Sequence, residues 1–147
     1  MQIYEVRDKR KYMPLLLIGD EQVNMIEKYL DGSTMFILDD GGVKGEITVL
    51  EADENTLEIK NLAIYPEYRK MGYGRALIEF VARRYTPEYA RLSVGTGDST
   101  LTVPFYEKCG FTRSHRIKNF FLENYDRPII EDGVQLKDMI YLIRKLT

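Results

Sequence analysis

Leu57-Glu58-Ile59-Lys60-Asn61-Leu62-Ala63-Ile64, running on into Tyr65-Pro66-Glu67-Tyr68-Arg69-Lys70-Met71-Gly72-Tyr73-Gly74-Arg75-Ala76-Leu77, is the stretch that decides the fold. Its first half is apolar enough to predict a strand over Thr56–Tyr65. Its end feeds an amphipathic helix predicted over Ala76–Tyr85, with Leu77, Ile78, Val81 and Tyr85 as the buried stripe. Strand, basic glycine turn and helix N-terminus, in that order, build an anion site. The first N–H groups of a helix have no intrahelical partner and carry the positive end of its dipole. Glycines at 72 and 74 remove side chains that would hold a phosphate away from those donors, and Arg69, Lys70 and Arg75 add formal charge. The turn reads as a pyrophosphate cradle.

Two common nucleotide motifs do not fit it. A P-loop requires GxxxxGK[ST], whereas Gly74 is followed by Arg75-Ala76, which offers neither the lysine nor the Mg²⁺-binding hydroxyl. A dinucleotide fingerprint requires GxGxxG, and Leu77 stands where the third glycine belongs.

Outward from this stretch, Gln2–Val6 reads as a strand and Tyr12–Ile18 and Glu21–Leu30 as helices. Thr34–Leu38 and Val43–Leu50 read as strands joined by the turn Asp39-Asp40-Gly41-Gly42, and Glu51–Asn55 as a polar turn. Downstream, Thr86-Pro87 ends the helix, because the residue before proline is pushed out of the α region. There follow a strand Arg91–Val94, a loop Gly95–Thr102, a short helix Val103–Cys109, and closing strands over Thr112–Lys118 and Met139–Leu146. Arg127-Pro128 and Asp132-Gly133 mark turns in the long connection between the last two. Early hairpins and a late βαβ unit make a mixed α/β fold, a sheet with helices on both faces.

At 147 residues, 44% hydrophobic and 30% charged, the chain is expected to form one domain over 1–147. A net charge of −2 argues against sequence-independent nucleic-acid binding. No apolar run or signal-peptide pattern points to a membrane, and the single cysteine, Cys109, suits a reducing cytoplasm. Cys109 has no evident activating partner: the only histidine, His115, lies on the next strand. Cys109 is therefore expected to be a small buried residue, and no metal-ligand spacing appears.

Arg69-x-x-Gly72-x-Gly74, preceded by Asn61-Leu62-Ala63-Ile64-x-Pro66, resembles the acetyl-CoA-binding motif of the GNAT superfamily of N-acyltransferases. Independently, Leu92-Ser93-Val94 followed by Phe105-Tyr106-Glu107-Lys108-Cys109-Gly110-Phe111 resembles the family's second block. The tail, with Phe120-Phe121, Tyr125 and Asp138-Met139, is similar to that of a little-characterised bacterial subgroup. The resemblance implies a largely antiparallel sheet of six or seven strands, splayed between the fourth and fifth. Into that wedge the pantetheine arm of acetyl-CoA would enter as a pseudo-strand.

It also implies roles for particular residues. Acyl transfer to an amine requires a held pyrophosphate, a neutral amine, a stabilised oxyanion and a thiolate that can leave. The backbone of Arg69, Lys70, Met71, Gly72, Tyr73, Gly74, Arg75 and Ala76 would hold the pyrophosphate. Leu62, Ala63 and Ile64 would meet the acyl and pantetheine parts, with the Leu62 N–H polarising the thioester carbonyl. Tyr106 would protonate the departing thiolate beside Phe105; Ser99 would contact the pantetheine and Lys108 the 3′-phosphate. Glu58 is the candidate general base. In a regular strand it shares a face with Leu62, roughly 13 Å away, so it would work through water. Glu46 is the reserve. Asp31, Glu46, Asp53, Glu54 and the Phe120-Phe121-x-x-x-Tyr125 segment are candidates to line a site for a cationic amine. The expected activity is N-acetyl transfer from acetyl-CoA to a primary amine in a ternary complex, by a homodimer. A non-catalytic CoA sensor of the same fold and a nucleotide-dependent enzyme are the alternatives.

Overall fold

A computed structural model describes residues 1–146. At its centre lies the antiparallel pair β3 (Val43–Asp53) and β4 (Thr56–Ile64). On one side the sheet continues through β2 (Thr34–Asp39) to β1 (Gln2–Val6). On the other it continues through β5 (Arg91–Gly97) and β9 (Met139–Lys145) to β6 (Thr112–Ile117). The resulting seven-stranded order is β1-β2-β3-β4-β5-β9-β6, antiparallel except for the pair β4–β5. The turn between β2 and β3 is the expected one. Gly41 and Gly42 take the positive φ values of +70° and +123° that it needs, and the Asp39 carboxylate accepts the Gly42 N–H at 2.9 Å.

Both faces of the sheet are covered. On one, Phe36, Ile47, Val49, Leu57 and Ile59 pack against Leu77, Ile78 and Val81 of α3 (Tyr73–Arg84), with Val103 and Tyr106 of α4 (Thr102–Lys108) in the same core. On the other, Met35 and Ile37 meet Leu16 of α1 (Met13–Gly19), Ile26 of α2 (Val23–Glu27), and Tyr29 and Leu30. Because β2 is buried on both faces, it reads as the continuous apolar run Met35-Phe36-Ile37-Leu38.

Several boundaries differ from the sequence expectation. α3 starts at Tyr73 rather than Ala76, because Gly72 at φ +85° serves as its N-cap and the Ala76 N–H already donates to the Gly72 carbonyl at 3.0 Å. The first helical segment is a 3₁₀ turn, Lys9–Tyr12, before α1, and α2 covers only Val23–Glu27 of the span Glu21–Leu30. β5 runs on to Gly97, through residues expected to form a loop. The connection from β6 to β9 contains α5 (Phe120–Asn124) and a small hairpin of β7 (Ile130–Glu131) and β8 (Val134–Gln135), whose turn holds Asp132 and Gly133 at positive φ.

The parallel pair is short. β4 and β5 align only from Thr56↔Arg91 to Ile59↔Val94. Beyond that point β4 pairs with β3 alone and Gly95–Gly97 pairs with β9 alone, so the two strands part.

Candidate active site

The glycine turn presents an open helix N-terminus. Lys70 and Gly72 both lie in the left-handed region, at φ +63° and +85°, and no side chain caps α3. A Cβ at Gly72 would meet nothing within 4 Å, so the space in front of the first amides of α3 is clear. Arg69, Lys70 and Arg75 are exposed, and none is in an ion pair among the described residues. Uncommitted N–H groups, a positive dipole end and free cations together suit a diphosphate. Three details refine the reading from sequence. The Ala76 amide is spent within the helix. Gly74 is glycine because Phe105 Cζ lies 3.0 Å from where its Cβ would be, so its smallness serves the docking of α4 on α3. The Tyr73 hydroxyl donates to Asp40 at 2.7 Å, which leaves only its backbone for a ligand.

At the mouth of the wedge β4 carries a β-bulge. Thr48 pairs with Asn61 but Val49 pairs with Ile59, so Lys60 is the extra residue. The bulge overturns the expectation that Glu58 and Leu62 share a face. Leu57, Ile59, Leu62 and Ile64 all pack on the α3 side. Asn61, on the α1–α2 side, donates from Nδ2 to the Leu16 carbonyl at 2.9 Å and to Tyr29 Oη at 3.1 Å.

Tyr106 belongs to the α3 side. It is buried, with Phe105 and Phe111 edge-on at 5.1 and 5.6 Å, and its hydroxyl has no hydrogen-bond partner among the described residues. Burial raises its pKa above the ordinary phenol value, with the fields of Cys109, Glu46 and Glu131 adding to the effect, so it stays a proton donor. The Cys109 thiol is buried and pushed up by desolvation, away from nucleophilic use. Ser99 Oγ accepts the Leu101 and Thr102 amides at 2.9 and 3.4 Å, and its O–H is directed to the Glu131 carboxyl. Lys108 is exposed in the last turn of α4. Glu131 of β7 was not anticipated. Its carboxyl is pushed up by burial and by Glu21, and opposed by Arg69 and Ser99, which places the hairpin near the glycine turn and the start of α4.

The α1–α2 side is built from side chains. Glu58 Oε2 accepts from Lys60 Nζ at 3.2 Å and from Tyr141 Oη at 3.1 Å. Tyr141 crosses β5 to get there, possible because residue 95 is glycine: a Cβ would lie 2.9 Å from Tyr141 Cζ. Its other face stacks on His115 at 4.9 Å. Lys60 Nζ lies 5.5 Å from the Tyr29 ring centre. Tyr29 and Tyr125 both donate to Asp20, at 3.2 and 2.5 Å, and Asp20 is pulled up by burial against these bonds. Glu46 is fully buried. Its Oε1 accepts from Thr48 Oγ1 at 2.7 Å, Oε2 has no partner among the described residues, and desolvation pushes the carboxyl up to about 8. At neutral pH it is mostly a neutral acid, unsuited to take a proton.

Other acidic candidates are not gathered here. Asp31 pairs with Arg10 at 2.8 Å, and Asp53 receives the Asn55 amide in the β3–β4 turn, at the opposite end of β4 from the wedge. Of the expected aromatic segment, Tyr125 reaches the site, while Phe121 forms a satellite core with Ile129 and Leu136. Asp20, Tyr29, Lys60, Asn61 and Tyr141 were missed. The one sequence signal was the slip of the apolar positions from 57 and 59 to 62 and 64.

The family model described as acetyltransferase (GNAT) domain matches residues 31–113. The chain belongs to this family. Among GNAT relatives, an uncharacterised N-acetyltransferase, YvbK, of Bacillus subtilis (strain 168) is 30% identical over 131 residues, 87% of this chain and 84% of YvbK. A GNAT family acetyltransferase from Elizabethkingia anophelis, solved with acetyl-CoA bound, superposes with a TM-score of 0.92 at 30% identity, covering 99% of this chain and 97% of the other. A Bacillus subtilis acetyltransferase solved in complex with CoA gives 0.88 at 27% identity, with 99% of each chain covered. The GNAT membership and the CoA-bound relatives agree with the site geometry: open glycine turn, parted strands and buried tyrosine lie on one continuous side of the fold.

Proposed function

We propose that this chain transfers the acetyl group of acetyl-CoA directly to a primary amine within a ternary complex. The observation that carries the reading is the alignment of the uncapped N-terminus of α3, the free edge of β4 beyond Ile59 and the unpartnered Tyr106 hydroxyl. Acetyl-CoA supplies an activated thioester. The amides of Tyr73, Gly74 and Arg75, with Arg69, Lys70 and Arg75 around them, hold its diphosphate. The β5-facing edge of Leu62, Ala63 and Ile64 pairs with the pantetheine arm, and the Leu62 N–H polarises the carbonyl.

Glycine turn and Tyr106 both serve the α3 side, so the amine comes from the α1–α2 side. Its nitrogen bonds to the acetyl carbon as the carbon–sulfur bond breaks. Tyr106 gives its proton to the departing sulfur, and Glu58 receives the proton shed by the amine, through water. Burial keeps Tyr106 protonated for the first task, and Lys60 and Tyr141 hold the Glu58 carboxyl group in place for the second.

Native mass spectrometry with acetyl-CoA, CoA, ATP and NADH, followed by thiol release over an amine panel, tests this. Selective acetyl-CoA adducts and amine-dependent thiol release are expected. Adducts with ATP or NADH alone would overturn the cofactor. Tight CoA binding without turnover on any amine would leave a CoA-sensing domain.

A further inference from the structure

The wedge between β4 and β5 is closed at its apex by one side chain. Ile59 and Val94 are the last residues that the two strands pair, and Gly95 is the first residue of β5 past them. Tyr141 of β9 stands opposite Gly95 in the antiparallel register. Its ring lies across that glycine, since a Cβ there would come within 2.9 Å of Cζ and 3.1 Å of Cε2. Its hydroxyl donates to Glu58 Oε2 of β4 at 3.1 Å. The ring therefore reaches from β9 over β5 to β4 at the point where the strands part.

Three contacts fix it there. Gly95 lies against one face, and His115 stacks on the other with centroids 4.9 Å apart and planes 6° apart. Glu58 holds the hydroxyl and is itself held by Lys60 at 3.2 Å. On the α3 side the apex is core, made of Ile59, Val94 and Val103, all buried. Close-packed groups of this kind yield only through an off-rotamer side chain or a backbone shift.

The direction of the pantetheine arm makes this apex the acyl end. An arm that enters beside the glycine turn and runs along β4 from Ile64 to Leu62 is heading into it. Carbon beyond the thioester carbonyl therefore extends toward Tyr141, and each added methylene has to displace the ring, Glu58 or the core. We propose that Tyr141, laid over Gly95 and tied to Glu58, sets the acyl-chain limit of this protein, admitting acetyl and excluding butyryl and longer groups. This rests on the acetyl-transfer reading above.

Affinity along an acyl-CoA series reads the limit without turnover. CoA, acetyl-CoA, butyryl-CoA and hexanoyl-CoA are titrated calorimetrically into wild type, Tyr141→Phe, Tyr141→Leu and Tyr141→Ala, and amine-dependent thiol release is followed with each thioester. Wild type is expected to bind butyryl-CoA about tenfold or more worse than acetyl-CoA, the low end of what a pocket loses to one misfitting methylene. Tyr141→Phe keeps the ring and drops the bond to Glu58, so this ratio should hold even where turnover falls. Tyr141→Leu and Tyr141→Ala should bring the ratio close to one, most fully for alanine. Affinity for CoA itself, which carries no acyl group, should stay at the wild-type value and so report an intact fold. Wild type that binds hexanoyl-CoA as well as acetyl-CoA would overturn the limit and leave acetyl transfer standing. So would a ratio that leucine and alanine leave unchanged, or one that phenylalanine already abolishes. Wild type that binds no CoA compound would overturn both.

Discussion

The two sides of β4 are made differently. On the α3 side, the features assigned to the cofactor come from backbone: a left-handed glycine, uncapped amides and an unpaired strand edge, with Tyr106 as the main side chain. On the α1–α2 side, the polar groups are side chains drawn from the α1–α2 and α2–β2 connections, β4, the segment after α5, and β9: Asp20, Tyr29, Glu58, Lys60, Tyr125 and Tyr141. A cofactor of constant chemistry can be held by backbone, which has the same groups in any sequence. An acceptor that differs between enzymes has to be read by side chains. If acetyl-CoA lies on the first side and the amine on the second, as proposed, one side is built for a shared ligand and the other for a particular one.

The largest effect expected from breaking this division is at the α3 side's side chain. Tyr106→Phe removes the proposed proton donor and little volume. kcat should fall about 100-fold, within the usual range for a lost general acid, while acetyl-CoA binding measured by titration holds. If kcat is unchanged, the thiolate leaves unaided and Tyr106 is packing.

A smaller effect tests the backbone character of the turn. Gly72→Val places a side chain in the open cradle and forces a β-branched residue to φ +85°. Gly72→Asn tolerates the left-handed backbone but still fills the space. Both should raise KM for acetyl-CoA by about tenfold, the scale of one or two lost amide–phosphate bonds. Only the valine variant should also lower thermal stability. If asparagine binds acetyl-CoA as glycine does, the turn matters for its conformation and not for the room it leaves.

The same division explains what was legible in the sequence. The α3 side is contiguous: Leu62 to Arg75 hold the strand edge, turn and helix start in one run, and the second block adds Tyr106. The helix start was still misplaced, since Gly74 at the second helical position looks like turn. The proposed acceptor side is scattered, and Lys60 sits on a bulge that period-2 reasoning passes over. The slip from Leu57 and Ile59 to Leu62 and Ile64, across the polar pair Lys60-Asn61, is how such a bulge is written. Gly95-Thr96-Gly97 read as loop because glycine disfavours strands, yet Gly95 and Gly97 are small to seat Tyr141 and Leu136. α5 and the β7–β8 hairpin are too short to leave a periodic trace.

The smallest effect concerns Glu46, which separates structural from chemical acids on the proposed acceptor side. In the unfolded chain its carboxyl ionises near 4.5, and in the fold burial pushes it up to about 8. Below both values it is neutral in either state and adds no pH dependence. As pH rises from 4.5 the unfolded chain gives up the proton and the folded one keeps it, so stability declines until about pH 8 and then levels off. Glu46→Gln keeps the shape and a partner for Thr48 while removing the ionisation. The variant should match wild type near pH 4.5 and gain on it steadily, by about 1 kcal/mol at pH 8 once relaxation and water entry are allowed for. Denaturant unfolding at both pH values reads this, and comparing the two proteins cancels the other carboxylates. Acetyl transfer should survive, since a neutral acid at pH 7 was taking no proton. A stability gap that stays flat with pH would mean that Glu46 is ionised in the fold. A lost kcat would then make Glu46, rather than Glu58, the group that receives the amine's proton.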